Sequence, residues 1–287
     1  MLTQYTNTAD LRKNIYYPAY DDPDLPIGIF DSGVGGLTIA KEIKKILPDE
    51  NFIYYGDTKN LPYGEKSKAA IVDYCIKITR FLLEKKCKAI VIACNSATAS
   101  AFQNIKEEVN EKVPVVDVIH PVTKIVAAEK NIKKIGIIAT KATIDSDVYK
   151  KTIREQNTAI EIAQLSTPLL VPIIEEGIRS HPISHEIIKY YLSNPILENI
   201  DTIILGCTHY PLLLKEIKEF YTYKINIIDS PSIVAQELKK VLENRGILKK
   251  SDTLSKYNFY LSDKTNNFER MAKTIFGSTI KIELKLL

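Results

Sequence analysis

Short apolar runs recur along this chain, and most are followed by a longer segment with the period of an amphipathic helix. That alternation leaves few folds open. The predicted strands cover 27–30, 52–55, 89–93, 115–118, 135–139, 160–165, 202–205, 225–228 and 259–261, and the clearest helices 37–46, 69–85, 146–156, 212–220 and 233–244. Runs that are apolar throughout, rather than alternating, are strands buried on both faces, as in parallel sheets covered by helices. The expected class is therefore α/β. A length of 287 residues suggests two domains, each with its own core. The stretch HPVTK (120–124) is a predicted crossover into the second domain, and DSPS (229–232) a predicted return. Residues 26–118 and 229–287 would then form the first α/β domain and 119–228 the second. Residues 1–25 read as an extension without a clear period, with Tyr16, Tyr17 and Tyr20 as the side chains able to order it.

Composition narrows the function classes. The net charge of +4 is the difference between 39 basic and 35 acidic residues, spread without a basic block, so a nucleic-acid partner is not expected. No apolar stretch approaches the roughly 18 residues of a membrane span. The amino terminus lacks an apolar core and carries several acids, so no signal peptide is expected. Four cysteines give no disulfide framework, and a reducing cytoplasm is the expected compartment.

Two of those cysteines sit in matched settings: Cys94 in VIACNSATA (91–99) and Cys207 in IILGCTHYPLL (203–213). Each follows an apolar run and precedes small hydrogen-bonding residues. A thiol there lies at the carboxyl end of a strand and near a helix start, where open α/β sheets bind ligands and backbone N–H groups stabilise a thiolate. Two thiols facing one pocket could take a proton from one face of a carbon and return one to the other, which points to a racemase. Each cysteine alone also reads as a small buried hydrophobe. Cys75 and Cys87, on and just after a predicted helix with no polar cluster following, read as inert.

The first strand runs into IFDSGVGGLT (29–38), where Gly33, Gly35 and Gly36 permit close approach and positive φ, and helix-start N–H groups attract an anion. The loop has neither the lysine of a phosphate-binding P-loop nor dinucleotide spacing. Asp31 reads equally as a helix cap or a catalytic carboxylate. Tyr63, between Pro62 and Gly64, is either a packed turn aromatic or a ligand contact; His209 is a cap, a core histidine or a working imidazole.

FDSGVGGLT, YYGDTKNLPYGEKS, VIACNSATA, LLVPIIEEG and ILGCTHYPLL, in that order and spacing, resemble the glutamate racemase family of the aspartate/glutamate racemase superfamily. The resemblance runs from about residue 27 to about residue 242. It implies two similar parallel-sheet α/β domains, the second inserted in the first, with the active site in the cleft between them. It also implies interconversion of L- and D-glutamate without a cofactor or metal, supplying D-glutamate for peptidoglycan. A homodimer is compatible with it. Carried over by position, Cys94 and Cys207 become the acid/base pair, Cys94 taking the proton of D-glutamate and Cys207 that of L-glutamate. Asp31 would assist the first, His209 the second, and Glu175 would stand near the second half-site. Substrate contacts would come from Asp31, Ser32, Tyr63, Gly64, Asn95, Ser96, Thr208 and His209. Ser96 stands where threonine is usual, Thr167 where cysteine is frequent, and DVIHPV (117–122) replaces a segment usually containing glycines. A racemase for aspartate or another amino acid would keep both thiols. A zinc site built on Cys94, Cys207 and His209, and a non-catalytic binding protein, are the remaining alternatives.

Overall fold

Strand β1 (Ile27–Asp31) is buried along its whole length, as a strand must be when helices cover both faces of its sheet. In the computed structural model, which describes residues 20–179, 181–250, 254–278 and 280–287, it stands inside a six-stranded parallel sheet. The chain continues through α1 (Leu37–Ile46), β2 (Phe52–Gly56), α2 (Lys68–Glu84), β3 (Ala89–Ile92), α3 (Asn95–Val109), β4 (Val115–Asp117) and α4 (His120–Ala128). It then builds a second sheet from β5 (Lys134–Ala139), α5 (Lys141–Asp145), α6 (Val148–Gln156), β6 (Glu161–Ser166), α7 (Leu170–Glu175), α8 (Pro182–Leu192), β7 (Thr202–Gly206), α9 (Leu214–Phe220) and β8 (Asn226–Ile228). Helix α10 (Pro231–Asn244), β9 (Tyr257–Leu261), α11 (Asn266–Phe276) and β10 (Ile282–Leu284) return to the first sheet. The strand orders are β10-β9-β2-β1-β3-β4 and β6-β5-β7-β8, with every pairing parallel.

The α/β class and the two parallel sheets are as expected, and most predicted strands shift by one or two residues at an end. The predicted crossover at HPVTK is the first turn of α4, with Pro121 at its start, where a missing N–H costs nothing. Helix α4 packs against α6 and α10, so one apolar core runs from Ile27 and Ile29 of the first sheet to Ile135 and Ile204 of the second. Strand β10, with the sequence IEL, was not predicted: three edge residues, one of them charged, carry no period.

Of the extension, Tyr16 and Tyr17 lie outside the described residues. Tyr20 is buried, and its hydroxyl donates to Leu83 O at 3.3 Å. Nearby, the fully buried Lys88 ammonium pairs with Glu50 at 2.7 Å and donates to the carbonyls of Pro23 and Ile247. One cation thus ties the entry of the first sheet to the segment after α10.

Among the described residues no helix is long and apolar enough to cross a membrane.

Candidate active site

Both thiols come to one place because both sheets present the carboxyl ends of their strands to the cleft. Cys94 follows β3 as the N-cap of α3, and its sulfur accepts from Ala97 N at 3.5 Å and lies 3.8 Å from Ser32 Oγ. Cys207 follows β7. Here the next element is not an α-helix but a 3-10 turn, Tyr210–Leu213, with Pro211 near its start, and α9 begins only after it. The settings that look alike in sequence therefore differ: Cys94 has a helix start, while Cys207 has an imidazole, His209 Nδ1, at 3.7 Å.

Cys94, Cys207, Ser32, Tyr63, Gly64, Asn95, Ser96, Thr208 and His209 all line one cavity of about 20 Å³. Leu61, Pro62, Thr140 and Val171 complete the wall. That volume is about the room of one water, less than an amino acid occupies. Two glycines permit the close fit. A Cβ on Gly35 would meet His209 Nδ1 and Thr208 Oγ1 at 2.5 Å, and one on Gly64 would meet Thr140 Cβ at 2.7 Å. Neither Gly33, Gly35 nor Gly36 has positive φ, which corrects that part of the sequence reading: close approach, not backbone freedom, requires glycine at position 35. Nor are the loop amides free for an external anion at both ends, since Gly33 N and Gly36 N donate to Asp31 Oδ2 at 3.1 and 2.8 Å.

Asp31 and Glu175 stand behind the wall rather than in it. Asp31 is wholly buried, with Oδ1 unpartnered. Burial pushes its carboxyl up against the opposing pull of His209 and three backbone N–H groups. The thiol of Cys94 is likewise raised, first by burial and then by the Asp31 charge. This differs from the sequence reading of a helix start that lowers it, because one amide at 3.5 Å is outweighed by desolvation. Burial pulls the His209 imidazole down, but hydrogen bonds to Cys207 and Glu175 outweigh it and hold it well above the ordinary histidine value. Burial likewise pushes Glu175 up, and His209 Nε2 at 2.6 Å, with help from Asn267, brings its carboxyl below the usual range.

Around these groups the polar atoms are tied in place. Tyr63 donates to Asp57 at 2.6 Å, Asn95 Nδ2 to Tyr149 at 2.8 Å, and Ser96 shares a 2.8 Å hydrogen bond with Thr140. Thr167 shares one of 2.7 Å with Tyr210. The sequence reading missed Thr140, although its position just beyond the carboxyl end of β5 was the available signal. It also missed Asp57 and Asn267, whose roles depend on distant partners. Cys75 and Cys87 are buried and outside the cavity wall. Among the described residues no group of three or more His, Cys, Asp or Glu side chains is placed to hold a metal ion, so the zinc reading lacks a donor set there.

The family model for Asp/Glu/Hydantoin racemase matches residues 37–238. A glutamate racemase of Neisseria meningitidis is 40% identical over 256 residues, covering 89% of this chain and 94% of that protein. The chain belongs to the glutamate racemase family. It is an amino-acid racemase and hence an isomerase. The glutamate racemase of Francisella tularensis in complex with D-glutamate superposes with a TM-score of 0.85 at 35% identity, covering 92% of this chain and 98% of that one. The Escherichia coli racemase in complex with L-glutamate and an activator gives 0.74 at 27% identity, covering 91% and 98%.

Proposed function

We propose that this racemase interconverts L- and D-glutamate without a cofactor, using Cys94 and Cys207 as opposed acid and base. The observation that carries the reading is that both sulfurs line one small cavity, each with its own polar support. Relatives whose solved structures contain D-glutamate or L-glutamate support the substrate.

For D-glutamate, the Cys94 thiolate takes the α-proton while the Cys207 thiol protonates the opposite face; for L-glutamate the roles reverse. Each turnover moves one proton onto one sulfur and one off the other. The His209 imidazolium compensates negative charge on Cys207 and, with its other nitrogen, leans on Glu175. Asp31 assists Cys94 differently: its carboxylate, raised by burial, takes the Cys94 thiol proton as the substrate ammonium enters beside it, which removes the charge that opposes a thiolate there and leaves Cys94 as the base. Asn95 Oδ1, buried and unpartnered, is an acceptor for that ammonium. The side chains of Ser32, Ser96 and Thr208, with backbone amides, receive the carboxylates and stabilise the carbanion's developing charge. Tyr63 and Gly64 shape the wall. The product would serve peptidoglycan synthesis in the cytoplasm.

Circular dichroism of the purified protein across L- and D-amino acids tests this. Glutamate should lose its optical activity from either enantiomer, and dialysis against a chelator and a carbonyl scavenger should leave the rate unchanged. A dialysed protein that recovers activity only with pyridoxal phosphate or a metal would sink the two-thiol mechanism. Faster turnover of aspartate would transfer the reading to that substrate.

A further inference from the structure

Behind the Cys207 side of the cavity, a line of polar contacts runs from surface to thiol. Arg270 Nη2 donates to Asn267 Oδ1 at 2.9 Å. Asn267 Nδ2 donates both to Glu175 Oε2 at 3.0 Å and to Glu175 O at 2.8 Å. Glu175 Oε1 meets His209 Nε2 at 2.6 Å, and His209 Nδ1 lies 3.7 Å from Cys207 Sγ. The order of these groups leaves the Asn267 amide one orientation, because its oxygen faces a donor and its nitrogen faces two acceptors. Asn267 sits on α11, which packs on the first sheet through Phe268 beside Tyr54, with ring centroids 5.6 Å apart. Glu175 ends α7, in the half built on the second sheet. The amide therefore crosses between the halves.

We propose that Asn267 is a positioning residue for the half-reaction at Cys207, reaching across the cleft to hold the Glu175 carboxylate against His209. By occupying Oε2 and the backbone carbonyl, it leaves Oε1 alone to face the imidazole. Arg270 locks the amide in turn. Since the contact spans both halves, the His209 support is complete only when they are closed on each other. The inference rests on the two-thiol reading.

The test uses the L and D enantiomers of a single diastereomer of 3-chloroglutamate. Removal of the α-proton expels the β-chloride and leaves a dehydroamino acid, which tautomerises and is hydrolysed to a 2-oxo acid and ammonium. Because elimination requires only the abstracting thiolate, it separates the two faces, which racemisation at an equilibrium constant of one cannot do. In Asn267→Ala, elimination from the L analogue should fall by about 10- to 100-fold, the range lost with one hydrogen bond to a charged group, while the D analogue should change by less than about threefold. The acid limb of kcat/KM should also move to higher pH, because Glu175 loses a donor that favours its charged form. The other groups bearing on Glu175 are His209, Tyr54 and the Val34 amide, all of which the variant retains. Asn267→Asp, the same shape without the donor, should lose at least as much, and Arg270→Ala should lose less. Equal losses with both analogues, or an unmoved acid limb in Asn267→Ala, would overturn the proposal. Wild-type protein that eliminates from neither analogue would instead overturn the two-thiol reading beneath it.

Discussion

At the scale of single residues, two cysteines that look interchangeable in sequence are held by different chemistry. Cys94 has one helix amide, a hydroxyl and a buried carboxylate; Cys207 has an imidazole with a carboxylate behind it. Neither Cys94→Ala nor Cys207→Ala should racemise glutamate in either direction, because each enantiomer needs both sulfurs. Elimination from a 3-chloro analogue needs only one. Cys207→Ala should keep it for the D analogue and Cys94→Ala for the L analogue, as read by 2-oxo acid release. Both variants favouring the same enantiomer would show that the thiols are not opposed. The strand-end position of each thiol was legible in the chain, since an apolar run broken by a small polar residue marks it. The raised Cys94 thiol was not, because desolvation depends on how closely Tyr63, Thr140 and Val171 shut the wall.

At the scale of elements, the connection from β4 to α4 shows where pattern reading gives out. DVIHPV has no period, yet it forms a tight strand-to-helix joint: Asp117 accepts from Ile119 N at 2.7 Å and His120 N at 3.0 Å, and its other oxygen meets His120 Nδ1 at 2.7 Å. The ring also stacks on Phe102 with centroids 4.3 Å apart. The hydrogen bond to Asp117 raises the His120 pKa above its ordinary 6.5, burial opposes it, Glu155 of α6 adds to it and Lys106 of α3 subtracts. A raised folded pKa means the pair's contribution to stability is complete below about 6.5, the unfolded value, and fades as pH rises through the folded value. Urea denaturation of wild type and His120→Gln should therefore show a gap that is widest near pH 5.5 and narrows above neutrality. A gap that widens with pH would contradict the assignment. Long elements such as α2 and α10 needed no such contacts to be recognised, because their apolar stripes are local.

At the scale of the whole molecule, the two halves are tied by more than the cleft. The continuous core through α4, α6 and α10 joins the sheets; within the first half, the buried Lys88–Glu50 pair joins the entry of the sheet to the segment returning to it. Removing one partner of a buried pair leaves an uncompensated charge, so Lys88→Ala should cost about 3–5 kcal/mol in chemical denaturation. A loss under about 1 kcal/mol would show that water reaches the Glu50 carboxylate. The amino-acid sequence by itself determined the alternation of strands and helices and the parallel sheets, because periodicity and turn chemistry act over a few neighbours; the set of motif residues expected at one site came from the resemblance of five ordered motifs to a family. Only the tertiary structure decided that Asp31 and Glu175 stand behind the wall and that Asn267 reaches Glu175 from another element. It also decided that both thiols line one cavity of only about 20 Å³. Those facts depend on burial and on contacts between residues tens of positions apart, and no local pattern records them.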